Sequence, residues 1–277
     1  MDINKAIEIF NKYNIKTELD NNGQIIISEY RQPNGTTFEE LGINEDELIE
    51  NVVACTGVFD FIKSKITKFN LTASKEIRLY EENKVTEMPN LKAAGVFVAN
   101  KNLKKLPKLK TLSSISLEDS PIKSLPKLKE VAILIAQNSK LESLPSLETV
   151  QKLCVIDCPI EDIPELKSAG DVFICSSDEK NKTPLSQLPK LEEVDKIFVA
   201  NSNLKSLPKL KKAQKIALYN CEIKSVKKSI SDEIEVQDSI TDEQLSEKFD
   251  TFTDWYNSDI LHKSMDILGD IVNKIKS

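Results

Sequence analysis

The chain has 277 residues, 40% hydrophobic and 30% charged, the balance of a folded protein with ample material for a core. No run of about 18 apolar residues occurs, which excludes a membrane-spanning helix. Five cysteines (Cys55, Cys154, Cys158, Cys175, Cys221) are an odd number without CxxC spacing, which argues against a disulfide framework or a zinc site.

Charge is unevenly spread. Residues 1–50 hold 11 acids and 4 bases (−7) and residues 231–277 hold 12 and 4 (−8), so with a total of −6 the middle carries +9. The N-terminus, MDINKAIEIFNKYN, has acids where a secretion signal is basic and then continuously apolar. A cytoplasmic protein is expected, with signal-less export left open. Ala6, Ile7, Ile9, Phe10 and Tyr13 fall on one side of an amphipathic helix over 3–13. Residues 15–28 read as a hairpin, Ile15-Thr17-Leu19 against Ile25-Ile27, and Asn22-Gly23 predicts a type I′ turn. Asn44-x-x-Glu47 has the form of a capping box opening a second helix. Residues 1–54 therefore predict an αββα unit, either a cap or a small domain.

Beyond it the chain repeats. Prolines preceded by an aliphatic residue or Met stand at 89, 107, 126, 145, 164, 189 and 208, at spacings of 18, 19, 19, 19, 25 and 19. Leu109, Leu112, Ile115, Leu117, Ile122 and Leu125 return at the same offsets as Leu128, Val131, Leu134, Ala136, Leu141 and Leu144, and again beyond Pro189 and Pro208. The pair Ile115/Leu117 alternates with period two, as a short strand with both side chains on one face requires. Equivalent inward pairs are Phe59/Phe61, Ile77/Leu79, Val96/Val98, Leu134/Ala136, Leu153/Val155, Val172/Ile174, Ile197/Val199, Ile216/Leu218 and Ile234/Val236. Nineteen residues leave no room for a second regular element, so the S-L-P-K-L leg is expected to be extended or a single tight turn, where proline fits. One such unit cannot bury its apolar edge, but stacked copies can.

Between Ile174 and Leu185 one unit gains six residues, within Ser176–Pro184. Inserts in repeat arrays become loops on one face, often a working one, and tolerated drift accounts for this one equally well. At the far end, residues 241–256 and 258–275 read as two helices, with Leu261, Met265, Leu268, Val272 and Ile275 as the inward stripe of the second. Phe252 and Trp255 are expected to plug the last repeat.

The frame Leu112-x-x-Ile115-x-Leu117-x-x-Ser120-x-Ile122, recurring about seven times over residues 55–238, resembles the leucine-rich repeat. Its short period and LP step are similar to the bacterial type found in secreted effectors. The usual Asn position holds Ser120, Ser139, Cys158, Ser202 and Cys221, and Asn or Asp sits one place earlier at 100, 119, 138, 157, 201 and 220, where it suits a turn. The resemblance implies an α/β leucine-rich-repeat solenoid with a parallel β-sheet on its concave side, used for binding proteins. The expected organisation is an N-terminal αββα cap over 1–54, the solenoid over 55–238 and a helical C-terminal cap over 239–277.

Catalytic signatures are missing from the sequence. His262 is the one histidine, no HExxH, P-loop or GxGxxG occurs, and the residues after the repeats hold no cysteine for a thioester. A non-enzymatic scaffold without cofactor or metal is expected, as an effector, inhibitor or adaptor. Residues between the inward pairs must face the concave side, and the apolar ones there, with neighbouring columns, are Phe97, Ile133, Ile135, Cys154, Ile156, Phe173, Phe198 and Tyr219. Such a patch has the composition of a protein-interface core; the competing readings are a cap folded over it or ordinary exposed apolar surface. Lysines recurring around the LP step, among them Lys104, Lys108, Lys110, Lys123, Lys127, Lys129, Lys205, Lys209, Lys211 and Lys212, could follow a nucleic acid or other polyanion along the convex side. With almost no arginine and no interleaved aromatics, solvated lysines are the simpler reading.

Overall fold

A computed structural model describes residues 1–248 except 68, 69, 81, 82, 107, 108, 110, 224, 225, 232 and 242, and the backbone alone at 34 and 111. Phe252, Trp255, His262 and the stripe Leu261, Met265, Leu268, Val272 and Ile275 lie outside the described residues, as do Pro107, Lys108 and Lys110. The described residues form two compact units, Met1–Ile115 and those from Ser116 onward. Each is a stretch of parallel β-solenoid, with about nine coils between them and few helices. Among the described residues no helix is long and apolar enough to cross a membrane.

The first unit opens with α1 (Ile3–Lys12), whose N-cap Asp2 accepts hydrogen bonds from the backbone amides of Asn4 and Lys5. It buries Ala6 and Phe10. Strands β1 (Thr17–Leu19) and β2 (Ile25–Ile27) pair antiparallel. Their turn is not type I′: Gly23 alone takes a positive φ, +75°, and its amide donates to the Asp20 carbonyl at 3.0 Å. The Asp20 carboxylate accepts from the amides of Asn22 and Gln24 at 2.8 and 2.7 Å, which holds the two asparagines in an ordinary turn and leaves the left-handed residue to Gly23. A short 3-10 turn (Pro33–Gly35) and α2 (Glu45–Ile49), capped by the Asn44 side chain on the Glu47 amide, complete the αββα order.

Strands β3 (Val52–Asp60), β4 (Ala73–Arg78) and β5 (Ala93–Val98) follow as parallel neighbours, and β6 is Thr111–Ser116. Tyr30 stacks on Phe59 at 4.6 Å and donates its hydroxyl to the buried Glu45, which also accepts from the Ser64 hydroxyl and the Lys65 amide. Three donors meet the lone pairs of that carboxylate, so its burial leaves no acceptor wanting.

The frame at β5 differs from the sequence expectation. Phe97 pairs with Ile77 in the ladder and is fully buried, while Val96 and Val98 stand on the other side and are only half-buried. The inward pair is Phe97/Ala99. Counted from Pro89, Leu91, Ala94, Phe97 and Ala99 stand at the offsets that Leu109, Leu112, Ile115 and Leu117 have from Pro107. The missing residue of this 18-residue unit comes from the turn after the strand. Asn100 there has no positive φ, is buried, and accepts the Leu103 amide at 3.0 Å while donating to the Tyr80 carbonyl. Asn83, fully buried one coil earlier, donates to the carbonyls of Phe61 and Ser64 at 2.6 and 2.9 Å.

The second unit carries β7 (Glu130–Gln137), β8 (Thr149–Ile156), β9 (Ser168–Cys175), β10 (Glu193–Ser202), β11 (Lys212–Cys221) and β12 (Glu233–Gln237), each parallel to its sequence neighbours. One register row runs Leu134, Leu153, Val172, Ile197, Ile216 and Ile234, and a second runs Ala136, Val155, Ile174, Val199, Leu218 and Val236. Both are fully buried through β11. At the ends of β6, β7, β8, β10 and β11 an Asp or Asn turns the chain in the left-handed region: Asp119, Asn138, Asp157, Asn201 and Asn220, with φ from 48 to 50°. Short side chains that bond locally tolerate this conformation best. The next residue points inward, and Ser120, Ser139, Cys158, Ser202 and Cys221 are all buried. The Cys158 thiol donates to the Ala136 and Ile156 carbonyls, and the Ser202 hydroxyl to that of Leu185. The LP step is a β-turn with proline second: amides of Leu128, Leu147, Leu166, Leu191 and Leu210 donate to the carbonyl three residues back.

Candidate functional site

On each strand of the second unit the residues between the buried rows face the other side of the sheet. Three columns result. The middle one runs Ile135, Cys154, Phe173, Phe198, Ala217 and Glu235, and the next Gln137, Ile156, Cys175, Ala200, Tyr219 and Gln237. Phe173 and Phe198 stack with ring centroids 4.5 Å apart at 9°, and Phe198 meets Tyr219 at 5.5 Å. Together Cys154, Ile156, Phe173, Cys175, Phe198, Ala200, Ala217 and Tyr219 form a second hydrophobic cluster, on the sheet face opposite the core.

The third column is charged: after Ile133 come Lys152, Asp171, Lys196, Lys215 and Glu233. Lys152 is buried beside Asp171, with Nζ 3.9 Å from the carboxylate, and Lys215 pairs with Glu233. Burial raises the Asp171 carboxyl above its ordinary value, against the pull of Lys196 and Lys152. Nothing in the repeat frame draws attention to this column. Its signal was the same alternation that marks the apolar one, read two residues earlier.

Of the eight residues singled out from sequence, Ile133, Ile135, Cys154, Ile156, Phe173, Phe198 and Tyr219 share this face. Phe97 does not: it belongs to the first unit and points into the core. The cluster is also not bare. Phe173 is 2% exposed and Tyr219 1%, and Ile240 and Leu245, from the segment after β12, pack against it. Thr241 and Gln244 cap each other, amide to side chain in both directions, at the start of a helical stretch over 243–248. Lys248 then reaches Glu235 on β12 at 3.8 Å.

The thiols have structural surroundings. Burial pushes Cys154 up to about 12 and Cys175 higher still, far from the thiolate a nucleophile needs. Burial likewise raises the Tyr219 phenol, and its hydrogen bond to Glu235 adds to the effect.

Several lysines of the LP stripe are matched by acids one coil away. Lys123 donates to Glu142 at 2.6 Å and Lys211 to Glu192 at 2.6 Å, and Glu148 accepts from both Lys129 and Lys167, which hold its carboxyl at about 2. The insert is tied down as well. The Ser177 amide and hydroxyl donate to Asp157, the Lys182 ammonium donates to the Asn220 carbonyl at 2.9 Å, and Thr183 bridges Ser202.

No protein-family model, no curated protein and no solved structure matches this chain.

Proposed function

We propose that the chain is a non-enzymatic solenoid of the leucine-rich-repeat type that binds a protein partner through the concave face of its second unit. The observation that carries this reading is the composition of that face. An apolar, aromatic centre from Cys154 to Tyr219 is bordered by a row of mixed charge from Lys152 to Glu233. Protein interfaces have this anatomy, with an apolar core inside a polar margin that sets register and partner choice. Polyanion binding is less well supported, because the stripe lysines Lys123, Lys129 and Lys211 already face carboxylates on adjacent coils.

The test uses the half-buried Ile135 at the edge of the cluster and the exposed Lys196 beside it. The purified chain and its Ile135→Asp/Lys196→Glu variant are used as bait, and the affinity of each protein retained by wild type is measured against both. The variant should keep the wild-type circular dichroism. Its affinity should fall by about tenfold or more, since a charge enters the apolar edge of the cluster and a margin charge is reversed. Equal affinities, or no saturable partner for the wild type, would refute the assignment.

A further inference from the structure

Of the 38 lysines and arginines only two are arginines, Arg31 and Arg78, and both stand on the first unit. Each ends the same short pattern, Glu29-Tyr30-Arg31 and Glu76-Ile77-Arg78, and the ladder brings the two into line. Tyr30 bridges to Phe59 and Phe59 registers with Ile77, so these three form one inward row. Their chain neighbours face the other way in two columns. One runs Arg31, Asp60, Arg78 and Val98, and the other Glu29, Val58, Glu76 and Val96.

In each pattern the carboxylate engages the guanidinium at Nε, Glu29 on Arg31 at 2.7 Å and Glu76 on Arg78 at 2.5 Å. Exposed ion pairs add little to stability, and these arginine side chains stay open to water, 62% for Arg31 and 47% for Arg78. The pairs instead fix how each guanidinium lies. Tyr80 takes one more bond from Arg78, and with five N–H donors per guanidinium both arginines keep donors for an anion. Asp60, between them, accepts the Ile62 amide at 3.0 Å and the Tyr80 hydroxyl at 3.5 Å, which leaves lone pairs for a cation.

Adjacent strands lie about 4.8 Å apart, so the column reads plus, minus, plus, with the arginines about 10 Å from each other. An α-helix laid across the strands keeps this step: residues i, i+3 and i+7 share one face, at about 5 and 10.5 Å along the axis from the first. An extended segment falls out of step, since its same-face residues recur every ~6.6 Å. We infer that this face of the first unit takes an amphipathic helix of a partner protein. The helix carries acids seven residues apart, on Arg31 and Arg78, and a basic residue between them on Asp60. The half-buried Val98, next in the column, meets an apolar residue one turn further on. Arginine suits the two outer positions because its planar fork grips a carboxylate by two parallel bonds, which lysine cannot do. The inference is independent of the reading given above for the second unit.

The probe is a fluorescein-labelled, alanine-based helical peptide with Glu at i and i+7, Lys at i+3 and Leu at i+11. Its binding to the full chain is read as fluorescence anisotropy at low salt. Saturable binding is expected. Arg31→Lys/Arg78→Lys keeps the charge and removes the forks, and should weaken binding by about fivefold or more at unchanged circular dichroism. A peptide of the same composition with its two Glu four residues apart should also bind about fivefold more weakly or worse, and that arm needs no protein variant. No saturable binding, equal affinity of the lysine variant, or equal affinity of the respaced peptide overturns the inference, the last because attraction by charge alone would explain it.

Discussion

Replacing Phe97 with alanine tests the corrected frame of the first unit more sharply than any change on the surface. Phe97 is fully buried and registers with Ile77, so its removal opens a ring-sized cavity between two coils. Large-to-small changes of this kind cost about 3–5 kcal/mol. Val98, one residue on, is half-buried on the other face, and Val98→Ala should cost about 1 kcal/mol or less. With a urea m-value of about 2 kcal/mol/M, Phe97→Ala should lower the midpoint of the transition by about 1.5–2.5 M and Val98→Ala by about 0.5 M or less. Hydrogen exchange at 93–99 assigns the loss to this coil, which matters because repeat arrays can lose cooperativity. A larger loss for Val98→Ala than for Phe97→Ala would restore the Val96/Val98 pair as inward and refute the shortened turn at Asn100.

Two further outcomes follow from the packing. Gly170→Ala builds a Cβ that overlaps the Gln151 carbonyl oxygen of the neighbouring strand, so it should destabilise by about 1–3 kcal/mol in a thermal melt, whereas a neutral or stabilising effect would mean that β8 and β9 can move apart. Burial holds the Cys154 and Cys55 thiols near 12 against an ordinary 9.0; the stability they lend is full below the unfolded value and is lost as pH rises from about 9 toward 12, so urea midpoints should fall over that range and fall less steeply in Cys154→Ala, while equal slopes would refute the thiol contribution.

The solenoid was legible because its signal is repeated. Leu117, Ala136, Val155 and Val199 each sit at the same offset from a proline, and an error at one coil is outvoted by the rest. At Phe97 that vote was available and the local alternation Val96/Val98 was followed instead. The deletion that shifted the pattern lies after the strand, so the offset from Pro89 was the trustworthy guide. The hairpin turn was misread for a different reason. Asn22-Gly23 is a strong local signal, but the carboxylate of Asp20, two residues before it, settles the geometry. The second-unit face was identified from alternation alone, down to individual residues such as Phe173 and Phe198. Its burial was not, because periodicity says which side a residue faces and is silent on what stands opposite. The capping box at Thr241 and the charge row from Lys152 to Glu233 were both present in the letters, but only the fold puts them beside the same cluster.

The 25-residue coil has a consequence for how the ladder finds its alignment. Neighbouring coils offer nearly interchangeable apolar rows: Leu134, Leu153 and Val172 could exchange places with little change in packing. A strand pairing that slipped by one whole coil would therefore satisfy most of the core, and the resulting degeneracy is a known hazard of quasi-one-dimensional architectures. The long coil between Cys175 and Ile197 removes it. Its extra residues are held by contacts specific to their place, from Ser177 to Asp157 on one side and from Lys182 to Asn220 on the other. No other coil of the second unit has slack to accept them, so any shifted alignment strands a loop without its anchors. The one irregular repeat acts as the index mark that makes the regular ones countable.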